Sequence, residues 1–426
     1  MPLAPPHPIL RSGGMPPHPG SWRHCPTPPG PGEGARAGRA YPSGILPAWE
    51  AMECAATGLA APWGPEMRPR GERRIIALAD GGFDLLEAKT AVGVIRYAID
   101  PVVAVVDHLH AGKRASDVVG VGDHIPVVAT VGDALASHPD ANTLLLGTAP
   151  RGGILPASWR AQIVQAMRAG LDVINGLHAF LSDDAELAPV AAECGVTIWD
   201  ARRAPDAHRV ADTRAHALAA TVVLTVGSDC NVGKMSTALE VDALLRKRER
   251  TSVFVPTGQT GIMIAGWGTS IDEVISDFTA GAAEDLVMEA AKTATTKEDI
   301  ILVEGQGSLV HPGYSGVTLS LIHGSAPDAL ILCHQSTRTQ IRRYTLPIPS
   351  LADLVALHGA MTAHVKPAPV IAISLNTYGM SEADAHAAVA RATAETGLPA
   401  TDPVRYGPAI LADAVEAFAK ARAATM

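Results

Sequence analysis

Aromatic residues make up only 4% of this chain, and a platform that stacks single-stranded bases needs more of them. Positive charge is not in excess either. The net charge is −9, so the balance favours neither nucleic acid nor an anionic membrane surface. The five cysteines (Cys25, Cys54, Cys194, Cys230 and Cys333) are odd in number, far apart and without a C-x-x-C pair. That argues against a zinc site or a disulfide framework and fits a reducing cytoplasm. No apolar run approaches the length of a membrane span, and the N-terminus has no continuous apolar stretch of the kind a secretory signal carries. Two narrower absences matter more. No G-x-G-x-x-G follows the first predicted strand, where the turn reads ADGGFDLLEAKT, so NAD is not expected. In the run GSDCNVGKMSTA, Met235 stands directly after the lysine, where a nucleotide-hydrolysing loop usually places Ser or Thr.

What is present points to α/β architecture. Hydrophobic content of 47% and charged content of 18% are ordinary for a soluble α/β protein, and 426 residues suggest two or three domains. Residues 1–71 stand apart. The first 70 hold 16 of the 33 prolines, and proline this dense blocks helix and sheet pairing. This piece is read as disordered, or as the product of a start assigned too far upstream. From Arg74 onward short apolar runs alternate with helical segments. RIIALAD, PVVAVVD, IPVVAT, TLLLGT, LDVINGLH and VTIWDAR predict strands; helices are expected at 85–99, from Val131, at 157–169 and at 186–193. That alternation signals a parallel sheet covered on both faces, a Rossmann-like domain over 72–212. The second half, 213–426, repeats the logic, with strands predicted at 221–226, 252–256, 300–304, 329–333 and 370–375 and a last helix at 410–423.

The second half opens with a phosphate-binding signature. An apolar strand meets Gly227, Ser228, Asp229, Cys230, Asn231, Val232, Gly233, Lys234, Met235 and Ser236, and a helical segment follows. Backbone N–H groups of such a loop form an anion nest at a helix N-terminus, and the lysine adds a point charge. The spacing is one residue longer than the commonest form. Unless Ser236 replaces the hydroxyl that Met235 lacks, magnesium is held weakly. Chemistry at a γ-phosphate is then disfavoured, while phosphate binding survives. No metal ligand set is assigned. Cys230, inside the loop near a helix N-terminus, is either a thiol of lowered pKa or a small residue that fits a tight turn.

Five further segments carry candidates, and all but ISDFTAGAAEDLV lie after predicted strands, where ligands bind in parallel sheets. In IILVEGQGSLVHPGYSG, Glu304 is a general base, a metal carboxylate or a hydrogen-bond acceptor holding the Gly-rich turn; His311 is a substrate contact or a surface histidine. PTGQTGIMIAGWG is expected as a loop in which Gln259 and Thr260 wrap an acyl or phosphate group. ISDFTAGAAEDLV sets Asp277 and Glu284 on one helix, with Asp277 facing the site or capping the helix. In CHQSTRTQIRRY, His334 and Arg338 bind a carboxylate or begin a solvated basic helix. Asn376 is a weak candidate for contact with a nucleotide base.

The runs GSDCNVGKMSTA, TGQTGIMIAG, DFTAGAAEDLV and VEGQGSL together resemble a bacterial and archaeal family long described only as a domain of unknown function. The resemblance spans roughly residues 72–426. It implies a Rossmann-like N-terminal domain joined to a P-loop domain, and within the family the chain looks most like the D-glutamate N-acetyltransferase branch. The loop spacing and the strand-EGxG motif are more distantly similar to dethiobiotin synthetase, an ATP-using ligase with Thr after the lysine; Met235 departs from it. The expected function is transfer of an acetyl group from acetyl-CoA, as co-substrate, to the amine of a D-amino acid. Loop residues 227–236 would hold CoA phosphates, and Glu304 is the leading base, with His311 and His334 behind it. Arg338 would take the acceptor's carboxylate, with Gln259 and Thr260 as further substrate contacts. N–H groups at 258–261 or 305–307 would bind the oxyanion. The alternatives are an ATP- and magnesium-dependent ligase or kinase and a non-catalytic nucleotide-sensing module. A homo-oligomer is expected, with neither nucleic acid nor membrane as partner.

Overall fold

The computed structural model describes residues 67, 69–85, 87–148, 155–206 and 209–425. The segment read as disordered or untranslated, 1–71, lies outside the described residues except at 67 and 69–71. The first half consists of β1 (Ile75–Leu78), α1 (Lys89–Tyr97), β2 (Val102–Val106), α2 (Ala115–Val119), β3 (Val127–Val128), α3 (Val131–Ser137), β4 (Thr143–Leu146), α4 (Ala157–Arg168), β5 (Asp172–Asn175), α5 (Leu187–Cys194) and β6 (Ile198–Asp200). Its strands pair in the order β3-β2-β1-β4-β5-β6, every pair parallel. This is the doubly wound order, whose direction reverses between β1 and β4. The strands are runs of Val, Ile and Leu because both faces are covered: all of β1, β2 and β4 is buried.

The second half begins with β7 (Thr221–Gly227) and α6 (Lys234–Lys247), then β8 (Ser252–Val255), α7 (Gln259–Ala265), α8 (Thr279–Ala290), β9 (Ile300–Val303) and α9 (Ser315–Ser325). It ends with β10 (Ala329–Gln335), α10 (Leu351–Thr362), β11 (Val370–Asn376), α11 (Glu382–Thr396), β12 (Ala400–Thr401) and α12 (Ala409–Thr425). Its parallel sheet runs β12-β11-β10-β7-β9-β8. The strand that feeds the P-loop is thus flanked by β10 and β9, and the segments after β7, β8, β9 and β10 open at one sheet edge.

Three expectations need correction. The loop expected over 256–268 contains α7. Gly258 stands at its N-cap and Gly266, in the left-handed region at φ 78°, ends it; burial of Ile262, Met263 and Ile264 outweighs the low helix propensity of the glycines. Asp277 is not on a helix with Glu284. It lies in a short 3-10 turn, Ser276–Phe278, before α8, and is exposed. Glu284 is buried in α8 and accepts from Asp212 N at 3.0 Å and from Arg214 at 3.2 Å, fastening the segment that links the halves. Finally, α1 starts at Lys89 rather than at 85, because Asp84 first closes a turn onto Glu87 N at 2.8 Å and Ala88 N at 2.9 Å.

The two halves share one apolar cluster. Ile75, Ala77, Val94 and Tyr97 on one side meet Ala238, Leu239, Phe254, Ile262, Met263 and Ile264 on the other, and Met235 packs against them. Two polar contacts cross the same seam. The hydroxyls of Thr90 and Thr260 are 2.9 Å apart, and Tyr97 donates to Glu240 at 3.0 Å. A Cβ added at Gly93 of α1 would come within 2.9 Å of Thr260 Cγ2 and 3.2 Å of Met235 Cε. Gly93→Val therefore wedges the seam and should cost roughly 1–3 kcal/mol, read as a lower midpoint in urea unfolding; an unchanged midpoint would show that the seam yields freely.

Candidate active site between the P-loop and the first domain

The P-loop follows β7, the second half's third strand from either β8 or β11. Ser228 N donates to Cys333 O at 3.0 Å, stitching the loop to β10. The Ser228 hydroxyl lies 2.9 Å from Nδ1 of His334, and burial pushes that imidazole down to about 4, so it stays neutral. Asp229 is fully buried. Its Oδ1 accepts from Cys230 N at 2.7 Å; its Oδ2 accepts from Arg338 at 2.9 Å and from Arg342 N at 2.7 Å. Asn231 and Gly233 both take left-handed backbone, at φ 53° and 111°, the alternation that turns N–H groups inward as a nest. Lys234 opens α6. Its buried ammonium donates to Asp229 O at 2.9 Å and Gly307 O at 2.8 Å, and burial lowers its pKa.

The residues after Lys234 are spent elsewhere. Met235 packs into the interdomain cluster. The Ser236 hydroxyl lies close enough to that of Tyr97 to bear on its titration. Thr237 Oγ1 sits 2.7 Å from Ser374 Oγ and accepts from Cys333 Sγ at 3.5 Å. Ser236 and Met235 thus both face the domain seam.

Glu304 follows β9 and is buried. Its Oε2 accepts from Thr257 N at 3.0 Å and Gly258 N at 3.3 Å, at the start of α7. Its Oε1 has no hydrogen-bond partner among the described residues. Burial pushes the carboxyl up to about 7, against the pull of the two N–H groups and of Lys89 and Lys234. The carboxylate thus holds the turn and also titrates near neutrality.

His311 is buried, not a surface histidine. Its Nδ1 accepts from Gly313 N at 3.0 Å, and Tyr314 and Tyr344 pack on it with ring centroids at 4.6 and 5.3 Å. Donor atoms of Asp229, Cys230 and His311 lie within 4.8 Å of one another, but both oxygens of Asp229 are already engaged, which leaves a poor metal set. Arg338 is committed: besides Asp229 it donates to Cys230 O at 2.6 Å and Gln335 at 2.5 Å. It braces the loop through these three bonds, so its charge is already matched by Asp229. Gln259 and Thr260 are buried on α7, and Thr260 is engaged by Thr90. Asn376 turns its Oδ1 to Tyr378 N at 3.0 Å. The thiol of Cys230 is not activated. Burial raises its pKa and outweighs the lowering by Lys234.

Sequence reasoning missed Lys89. It begins α1, in the other half, and reaches Asn231 Oδ1 of the P-loop at 3.4 Å. Solvent reaches its side chain; even so, enclosure in the cleft lowers its pKa, and Arg202 adds to this, while Glu304, Asp272 and Cys230 oppose it. No motif marks it, because its neighbours in space come from a stretch 142 residues away.

Sequence and structure comparisons agree with the two-domain architecture. Residues 209–412 match the model described as Domain of unknown function (DUF1611_C) P-loop domain, and residues 108–204 match Domain of unknown function (DUF1611_N) Rossmann-like domain. The chain belongs to the DUF1611 family. A D-glutamate N-acetyltransferase from Tritonibacter scottomollicae is 41% identical over 340 residues, 78% of this chain and 96% of the relative. One from Pseudoalteromonas sp is 36% identical over 274 residues, 64% of this chain and 80% of the relative. The crystal structure of a DUF1611 family protein from Anabaena variabilis superposes with a TM-score of 0.76 at 38% identity, covering 80% of this chain and 99% of that one. Among the described residues of this DUF1611 protein, no helix is long and apolar enough to cross a membrane.

The raised Cys230 thiol gives a direct test. At pH 8, iodoacetamide should label the peptide carrying Cys230 more slowly than an unperturbed peptide thiol, followed by mass spectrometry. Labelling as fast as the reference would mean that the loop activates the thiol after all.

Proposed function

We propose that this protein is an N-acetyltransferase that moves the acetyl group of acetyl-CoA to the amine of a D-amino acid such as D-glutamate. The observation that carries the reading is Glu304: a buried carboxyl at a strand end, one oxygen held by two N–H groups and the other open, which burial pushes up to about 7. A base of that pKa suits deprotonation of an ammonium at neutral pH. The names of the two curated relatives support the same reaction. In this reading the loop N–H groups and Lys234 hold the phosphates of CoA. Lys234 exchanges its carbonyl partners for a phosphate oxygen.

The chemistry needs neither ATP nor a metal, because the thioester is already activated. Glu304 takes a proton from the acceptor's ammonium, and the freed amine lone pair attacks the thioester carbonyl carbon. The oxyanion that forms meets backbone N–H groups in the first turn of α7, at 259–261, which have no carbonyl partner inside the helix. The N–H groups of Thr257 and Gly258, already given to Glu304, hold the base in place. Collapse of the tetrahedral intermediate breaks the C–S bond. The amide nitrogen's surplus proton goes to solvent, and the proton on Glu304 passes to the leaving thiolate.

The test is thiol release from acetyl-CoA with a panel of D- and L-amino acids, without ATP or magnesium. Release should require a D-amino acid, and Lys234→Ala should raise the KM for acetyl-CoA about tenfold or more, as loss of a charged hydrogen bond does. ADP formation only on adding ATP and magnesium, with no thiol release, would instead identify a ligase. The pH profile tests the base. Since Glu304 must be unprotonated to act, kcat/KM should fall about tenfold per unit as pH drops below about 7. Glu304→Gln should lose roughly 100- to 10,000-fold of the rate together with that acid limb; an acid limb that survives the substitution would assign the base elsewhere.

A further inference from the structure

We propose that Lys89, contributed by the first domain, binds a carboxylate of the acceptor amino acid and so makes the Rossmann-like half part of the active site. The inference rests on the transferase reading above. It starts from what the other cations of the cleft are doing. Arg338 is paired with Asp229. Arg202 donates to Gly176 O at 2.9 Å and pairs with Asp272 across the seam. Lys234 belongs to the phosphate nest and is held by two carbonyls. Of these four, only Lys89 has, among the described residues, neither a carboxylate within ion-pair distance nor a carbonyl on its ammonium; its one hydrogen bond among them is the 3.4 Å approach to Asn231.

Its placement is fixed rather than incidental. Ala91 N donates to Gly147 O at 2.9 Å, tying the start of α1 to the end of β4. The next residue, Thr90, is bonded to Thr260 on α7, the helix whose N-cap residue, Gly258, donates to Glu304. Lys89 thus reaches the tip of the P-loop from the first domain. It lies close enough to Glu304, Asp272 and Cys230 for their charges to act on it. The N-terminal end of α1 adds its own positive potential at this point. An acceptor whose amine lies at Glu304 carries a carboxylate two bonds away, within the span of a flexible lysine. An ammonium is suited to this as a mobile point charge, where a braced guanidinium is not.

The experiment is steady-state thiol release by the full chain, varying D-glutamate at saturating acetyl-CoA and then the reverse. Lys89→Ala and Lys89→Gln should each raise the KM for D-glutamate about 10- to 100-fold, the usual effect of losing a hydrogen bond between charged groups. The KM for acetyl-CoA should stay within about twofold, and Lys89→Arg should recover most of the loss. Because the side chain is solvent-exposed, the melting temperature should not move. Calorimetric titration of D-glutamate in the presence of CoA should show the same weakening without turnover. An unchanged KM for D-glutamate overturns the assignment, and a rise in the KM for acetyl-CoA instead moves Lys89 to a donor phosphate and overturns it too. Absence of thiol release by the wild-type protein is a separate outcome: it removes the transferase reading, and this assignment with it.

Discussion

The apolar seam between the two parallel sheets is the constraint on which the site depends. Met235, Leu239, Phe254 and the buried stretch of α7 pack against α1 and the first sheet, and that contact sets three things together. It draws Met235, the residue after the P-loop lysine, into the interdomain cluster. It holds α7 in place by the Thr90–Thr260 bond, and with it the N–H groups that grip Glu304. It also brings the start of α1 to the tip of the loop. A single hydrophobic contact, non-directional in itself, is given direction by the two hydroxyl pairings and the close fit at Gly93.

Glu304 shows how competing terms set a carboxyl near neutrality. Two backbone N–H groups and two nearby ammonium groups favour its charge, and on an exposed carboxyl they would hold the pKa low. Desolvation outweighs them. His334, on β10 at the other side of β7, feels the same desolvation in the opposite sense, because its charged form is the protonated one. The strand ends on either side of the P-loop thus carry one group tuned to accept a proton at neutral pH and one that cannot hold it.

Much of the architecture was legible in the sequence, for a physical reason. Strands covered on both faces must be apolar throughout, so RIIALAD, PVVAVVD, TVVLTVG and IILVE announced themselves. The strand β12 did not, since two residues carry no pattern. The helix α7 was misread because glycine was weighed as local propensity, whereas burial of Ile262 and Ile264 decides the matter. In the site, the loop and the strand-end position of Glu304 could be read directly. The pairing of Arg338 with Asp229 could not, nor could the approach of Lys89, because each joins segments more than 100 residues apart. Cys230 misled for another reason: a helix N-terminus lowers a thiol's pKa, but burial in the same loop raises it more.

The linker fastening at Glu284 bears on how the chain can be divided. That carboxylate, buried in α8, gathers Arg209, Arg214 and two backbone N–H groups from the segment that joins the sheets. A cut there removes the partners of a buried charge and opens the apolar seam on both pieces. Each fragment would carry a greasy face of the kind that drives aggregation. The two halves, though each is a familiar architecture, are therefore not interchangeable modules; the P-loop domain has given up an independent surface in order to belong to this one pairing.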